Sequence, residues 1–256
     1  MFTKAIVRKP SENFAEGVTQ VDLGKPDYER AVEQHAAYCR ALESCGLEVI
    51  RLAPDEQHPD ATFVEDTAVL TARDAVITRP GAATRLGEVD GIMPVVREHY
   101  RELHSIFEPG TLDGGDVCDA GDHFFIGISQ RTNEHGANQL ARLLHSFGYS
   151  SSLIDIRGIS NILHLKSGIA YLGGKHLVVI GALENHKRFS DYELIRLNSA
   201  EEYAANCVSL NGRVLIAKGF PAMKQELDHL GYQTIALDVS EFQKMDGGLS
   251  CLSLRF

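Results

Sequence analysis

No apolar run in the chain approaches the length of a bilayer crossing, and Lys4, Arg8, Lys9 and Pro10 break up its start too early for a secretory signal. A cytoplasmic location with no membrane partner is therefore expected. C-x-x-C spacing is also missing, and the five cysteines, Cys39, Cys45, Cys118, Cys207 and Cys251, are odd in number. That pattern suits reduced thiols and no structural metal. Positive charge is in deficit, with 25 Lys and Arg against 35 Asp and Glu for a net charge of -10. The deficit argues against a nucleic-acid partner and is compatible with a cationic substrate, although acidity also serves solubility. Low-complexity tracts are absent, and 44% hydrophobic residues with 23 glycines describe an ordinary globular protein of one or two domains by length.

Repetition is what the chain does have. Phe63-Val64-Glu65-Asp66 precedes apolar strands over 68–70 and 75–78, and Asp113-Gly114-Gly115-Asp116 precedes strands over 117–118 and 123–128. His164-Leu165-Lys166-Ser167-Gly168 leads into 169–172 and 177–180, and Ala205-Asn206-Cys207 into 208–210 and 214–217. A fifth cluster, Asp246-Gly247-Gly248-Leu249-Ser250-Cys251, leads into 252–254 at the C-terminus, where the N-terminal strand over 3–8 supplies the missing half of its hairpin. The period is roughly 51 residues, the signature of a repeat array or propeller whose units cannot bury their apolar faces alone. Joined terminal strands favour one domain over 1–256.

Helices fill the gaps. Tyr28, Val32, His35, Cys39 and Leu42 lie three or four apart before Gly46, as do Ala137, Leu140, Ala141, Leu144 and Phe147 before Gly148. Pro221 suits a first helical turn, with Met223, Leu227 and Leu230 following before Gly231. Each glycine can supply the left-handed residue that stops a helix. The stretch from Glu184 to Leu197 is shorter and less regular, so the repeat is weakest there.

Closure of such an array would bring the hairpin mouths to one axis. Cys251 and His164 both stand at mouths, and a Cys with a His in one pocket is the minimal activated-nucleophile pair. Taken alone, each is more often a buried packing residue than a catalytic one. Asp113 can orient the imidazole, or serve only as an Asp-Gly turn residue. Asp60, Glu65, Asp66, Asp116 and Asp246 make the remaining mouths acidic. Carboxylates around a thiol raise its pKa unless a positive substrate neutralises them, and the forked donors of a guanidinium match carboxylates best. Glu65 or Asp66 can instead cap a turn or pair with Arg73. Arg85 and Arg131 follow hairpins on short connections that enter helices, where an α-carboxylate could be held or where a solvated arginine would sit.

Taken together, Asp60 with Phe63-Val64-Glu65-Asp66, Thr78-Arg79-Pro80-Gly81, Gly110-Thr111-Leu112-Asp113-Gly114-Gly115-Asp116, Arg131-Thr132-Asn133, Leu163-His164-Leu165-Lys166-Ser167, Ala204-Ala205-Asn206-Cys207 and the Asp246–Cys251 cluster resemble the dimethylarginine dimethylaminohydrolases. The likeness runs from Gly24 to the C-terminus. It implies a pentein-type fold, a five-bladed α/β-propeller of ββαβ-like repeats forming one guanidine-modifying domain. It also implies hydrolysis of Nω-methylated arginines to citrulline and a methylamine through a covalent cysteine intermediate, with no cofactor, no metal and no nucleic-acid partner. A homodimer is the oligomer carried as an expectation.

The same resemblance makes Cys251 the nucleophile, His164 the general acid and base, and Asp113 the residue that orients it. Asp66 would bind the guanidinium with Glu65 beside it, and Arg85 and Arg131 would hold the α-carboxylate. Asp60 and backbone near Val18 would receive the α-amino group, and the Met245 carbonyl would contribute from the last loop. Val18, on a lid-like segment from Asn13 to Leu23, stands where the family commonly has Leu. Two alternatives share the scaffold: an arginine deiminase or other guanidine-modifying hydrolase, and a non-catalytic propeller that binds a partner.

Overall fold

Each polar cluster that introduces a hairpin folds into a short 3-10 turn, over 64–67, 114–116, 165–167, 202–205 and 250–252. The computed structural model describes residues 1–256. Its strands are β1 (Lys4–Arg8), β2 (Glu48–Leu52), β3 (Ala68–Leu70), β4 (Asp74–Ile77), β5 (Glu102–Ser105), β6 (Val117–Asp119), β7 (His123–Ile128) and β8 (Ser150–Asp155). They continue with β9 (Ile169–Gly173), β10 (His176–Val179), β11 (Glu193–Arg196), β12 (Val208–Leu210), β13 (Arg213–Ala217), β14 (Gln233–Leu237) and β15 (Leu254–Arg255). These form five three-stranded sheets. In every sheet the middle strand pairs antiparallel with the first strand of its hairpin and parallel with the strand that follows the crossover. The sheet β15-β1-β2 closes the ring, with Ala5 opposite Arg255 and Ile6 opposite Leu254.

A parallel pair requires a crossover, and helices supply it in four blades. They are α1 (Tyr28–Ser44), α2 (Met93–His99), α3 (Glu134–Ser146) and α4 (Pro221–His229); α5 (Ser240–Gln243) leads into the last mouth. Asp27 and Asn133 cap α1 and α3 by accepting from Arg30 N and Gly136 N, as short polar side chains do at helix starts. Gly46, Gly148 and Gly231, just past α1, α3 and α4, have φ of 87, 94 and 83°, the left-handed exit expected from their positions. In the blade of β9, β10 and β11 two 3-10 turns over 181–183 and 187–189 replace the helix, where the repeat is weakest.

Two expectations shift. The last strand begins at Leu254, because Ser250–Leu252 continues the polar cluster as a 3-10 turn. β5 has no counterpart in the sequence reading, since Glu102-Leu103-His104-Ser105 carries one apolar residue and no fully buried position.

The core is four apolar clusters packed between sheets and helices. α1 buries Ala31, Tyr38 and Leu42 completely, and α3 does the same with Ala137, Leu140 and Leu144. Along the axis, the first strand of each hairpin lines a funnel that opens away from the turns. On the other side of the turns lies a smaller cavity, which holds most of the predicted site residues.

Candidate active site

The short turns decide which way each side chain faces. Asp66 is 3% exposed and lines the cavity. Its Oδ2 accepts from Arg85 Nη1 at 2.6 Å and its Oδ1 from Gly115 N at 2.8 Å. Burial opposes its charge, but the neighbouring His164 and Arg85, with those hydrogen bonds, hold the carboxyl well below the usual range. His164 Nε2 donates to Asp113 Oδ2 at 3.0 Å and lies 3.9 Å from Asp66 Oδ1. Burial alone would lower the pKa of this imidazole; Asp66, Asp116 and Asp113 outweigh it and lift the value to about 9.

Asp113, fully buried, lies behind His164 and not on the cavity wall. Its Oδ1 accepts from Gly81 N at 2.7 Å, which fixes the carboxylate against the next connection. Cys251 lines the same cavity as His164, and Gly248 N donates to its Sγ at 3.4 Å. The thiol is pushed up to about 12 by burial first and by Glu65 and Asp66 second. An empty site therefore holds the sulfur protonated. A cation placed against the carboxylates would favour the thiolate.

The two arginines differ. Arg85 donates from Nε and Nη2 to both oxygens of Glu88 at 2.8 Å and from Nη1 to Asp66, so its guanidinium is engaged within the protein. Arg131 Nη1 is buried, has no hydrogen-bond partner, and stands 3.9 Å from Asp113 Oδ2. An unpaired buried donor of this kind costs about 1 to 3 kcal/mol, and a carboxylate arriving in the cavity would satisfy it.

The lid segment is in place over the cavity. Val18 N donates to Asp60 Oδ2 at 3.0 Å, bringing together the pair predicted for an α-amino group. Burial raises the Asp60 pKa in spite of Arg85 and that bond. Asp246, in a left-handed conformation at φ 58°, fastens the lid by accepting from Gln20 N at 2.5 Å and Thr19 Oγ1 at 3.1 Å. Met245 also borders the cavity.

Glu65 is the one residue predicted to bind substrate that faces elsewhere. It borders the axial funnel instead of the substrate cavity, accepting from Lys166 Nζ at 2.6 Å, Arg255 Nη2 at 3.0 Å and Ser250 Oγ at 2.7 Å. Successive residues of the turn project in different directions, so Glu65 and Asp66 cannot share a face. Neither pairs with Arg73.

Three residues escaped the sequence reading. Glu88 clamps Arg85, a signal available in their spacing of three, and burial followed by the opposing pull of Arg85 leaves it raised to about 7. Ser129 Oγ donates to Asp116 Oδ2 at 2.6 Å, and Leu165 N to Asp116 Oδ1 at 2.9 Å, tying neighbouring mouths together. Burial lifts Asp116 to about 6 against His164 and these bonds. Asn206 reaches the thiol from the fourth hairpin. Asp66, Asp113 and His164 also have ligand atoms within 4.8 Å of one another. A cationic imidazole and an arginine-paired carboxylate are poor donors for a metal ion, which takes neutral histidine.

The family model described as N,N dimethylarginine dimethylhydrolase, eukaryotic, matches residues 23–252. The chain is 44% identical over 257 residues to the N(G),N(G)-dimethylarginine dimethylaminohydrolase of Pseudomonas aeruginosa, covering 100% of both proteins. It is 37% identical to the enzyme of that name from Streptomyces coelicolor, covering 98% of this chain and 96% of that protein. The solved structure of a cysteine-to-serine mutant of the Pseudomonas aeruginosa enzyme complexed with citrulline superposes with a TM-score of 0.97 at 43% identity, over 100% of both chains. With the model, the relatives and the five-bladed fold in accord, the chain belongs to the dimethylarginine dimethylaminohydrolase family.

Proposed function

We propose that this protein hydrolyses Nω-methylated L-arginine, asymmetric dimethylarginine and monomethylarginine, to L-citrulline and dimethylamine or methylamine. The convergence of Cys251, His164 and Asp66 in one lid-covered cavity carries the reading. Asp66 takes the planar guanidinium, Arg131 Nη1 the α-carboxylate, and Asp60 with the lid backbone at Val18 the α-amino group. The cation offsets the charges that hold the thiol protonated, the thiol gives up its proton to solvent as substrate binds, and the resulting Cys251 thiolate attacks the guanidinium carbon. His164, charged at neutral pH, gives its proton to the departing amine, leaving a thiouronium on Cys251. The now neutral imidazole takes a proton from water, which adds to the same carbon. Collapse of that adduct expels the thiolate and releases citrulline.

Asp113 acts on His164 and not on substrate, fixing the ring and stabilising its charged form. Arg85 and Glu88 position Asp66. The lid excludes bulk water while the intermediate stands. Citrulline release from asymmetric dimethylarginine, monomethylarginine and arginine, each measured separately, tests the proposal. Turnover of the methylated substrates with arginine nearly inert is the expected result. Faster turnover of arginine would make the protein an arginine deiminase, and no turnover of any would leave a binding protein.

A further inference from the structure

The fourth hairpin mouth has no part in the chemistry above, yet it places Asn206 beside the reacting sulfur. We propose that the Asn206 side-chain amide and the Gly248 backbone amide form a hydrogen-bonding cradle for the Cys251 thiolate, which makes Asn206 a further catalytic residue. The inference rests on Cys251 as nucleophile and deepens that assignment.

Asn206 is 6% exposed, and its orientation is determined by its partners. Oδ1 accepts from Ser250 N at 2.8 Å, so a flipped amide would set two donors against each other. Nδ2 must then face Lys166 O at 3.2 Å, Ser250 Oγ at 3.2 Å and Cys251 Sγ at 3.9 Å. Two hydrogens serve three acceptors. While the sulfur is a thiol, the long contact is the weakest of the three. Once the proton leaves, a thiolate is a far stronger acceptor than the Ser250 hydroxyl, which donates its own hydrogen to Glu65 Oε2 at 2.7 Å. Ionisation therefore shifts one Nδ2 hydrogen towards the sulfur, where it joins the Gly248 N–H at 3.4 Å.

The surrounding packing allows for this. A Cβ at residue 248 would fall 2.5 Å from Asn206 Cγ, so only glycine lets the backbone amide and the asparagine approach the sulfur together. Tyr203 Oη, from the same turn as Asn206, donates to Gly247 O at 2.8 Å and locks the two loops in register. With Glu65 and Asp66 both opposing a negative sulfur, fixed donors at this position offset part of the penalty.

The pH dependence of Cys251 alkylation by iodoacetamide, followed by peptide mapping, reads the thiol directly. In Asn206→Ala the midpoint is expected to rise by about one pH unit, a tenfold smaller thiolate fraction, and kcat to fall by a similar factor with KM within about threefold. An unmoved midpoint overturns the proposal. Because alanine also strands Ser250 N–H, Asn206→Asp is measured beside it; this variant keeps the acceptor and lacks the donor. Wild-type alkylation and kcat in Asn206→Asp would overturn the cradle, since this variant lacks the donor and adds a carboxylate beside the sulfur. Ser250→Ala separates packing from donation: its midpoint should stay within about 0.3 units, and a rise equal to that of Asn206→Ala would reduce Asn206 to a structural role. Failure of the nucleophile assignment shows separately, as turnover by Cys251→Ser.

Discussion

Glu65 and Asp66 are consecutive residues of one 3-10 turn, yet they serve opposite ends of the propeller axis. On the funnel side, Glu65 meets Lys166, Arg255 and Ser250, and every charge in the group has a partner within 3.0 Å. On the lid side, the cavity is smaller than the funnel, and its groups are left in tension. The thiol is pushed up, the imidazole is pulled up, and Arg131 Nη1 has no partner. A region whose charges are satisfied can hold blades together. One whose charges are not can bind a substrate that completes it.

The comparison breaks most sharply at the sulfur. Cys251→Ser is expected to lose turnover entirely while retaining substrate affinity, because a hydroxyl of similar size is a far poorer nucleophile at neutral pH. Calorimetry and a citrulline assay on the same variant check this, and residual activity above roughly a hundredth of wild type would remove Cys251 from the role. Alkylation under the closed lid sharpens the point. All five cysteines are buried, but only Cys251 borders the catalytic cavity, whereas Cys118 and Cys207 border the funnel.

Across the axis the opposite pattern is expected. Glu65→Gln leaves Lys166 and Arg255 without their carboxylate and should destabilise the fold by about 3 kcal/mol, read by denaturant unfolding. Affinity for an unreactive arginine analogue should remain within about threefold. A large loss of affinity would return Glu65 to the substrate site.

Within the lid side, two carboxylates should fail differently. Asp66→Asn should weaken the analogue by about 1.5 to 3 kcal/mol and slow turnover, since it removes a charge-assisted contact to the cation. Asp113→Asn should leave analogue affinity within about threefold and lower kcat, because only the imidazole feels the change. Equal losses of affinity in both variants would place Asp113 against the substrate.

The smallest effect expected is the dependence of stability on pH. His164 titrates near 9 in the folded protein and near 6.5 when unfolded, so its ion pairs contribute fully below about pH 6.5 and are lost as pH rises through 9. Glu88, raised to about 7, acts with the same sign over a lower window, from its unfolded 4.5 upward. Melting temperature should accordingly fall between pH 6.5 and 9.5, and His164→Asn should flatten the upper part of that slope. A wild-type profile in the variant would contradict the assigned ion pairs.

Much of this was legible residue by residue. The hairpins announce themselves through apolar pairs flanked by polar turns, and Gly46, Gly148 and Gly231 stop their helices where a left-handed residue is needed. Cys251, His164, Asp66, Asp60, Arg131, Val18 and Met245 are legible as residues of the cavity, through position at the mouths and resemblance to the family. Asp113 was legible as the partner of His164 and stands behind it. β5 was invisible because its four residues carry no alternation. The role of Asn206 was hidden for another reason: an asparagine before a strand reads as a turn residue, and only its neighbours from other blades make it a donor to sulfur.

Local chemistry alone therefore determined the repeating units and the helix ends, because periodicity, capping and turn formation act over a few residues. Tertiary structure alone decided which of two adjacent carboxylates meets the substrate and which locks the axis. That choice depends on the direction of side chains in a tight turn and on hydrogen-bond donors brought from 49 to 190 residues away, as Gly115 is to Asp66 and Arg255 to Glu65. No pattern along the chain encodes such a distance, since electrostatic balance is set by proximity in space.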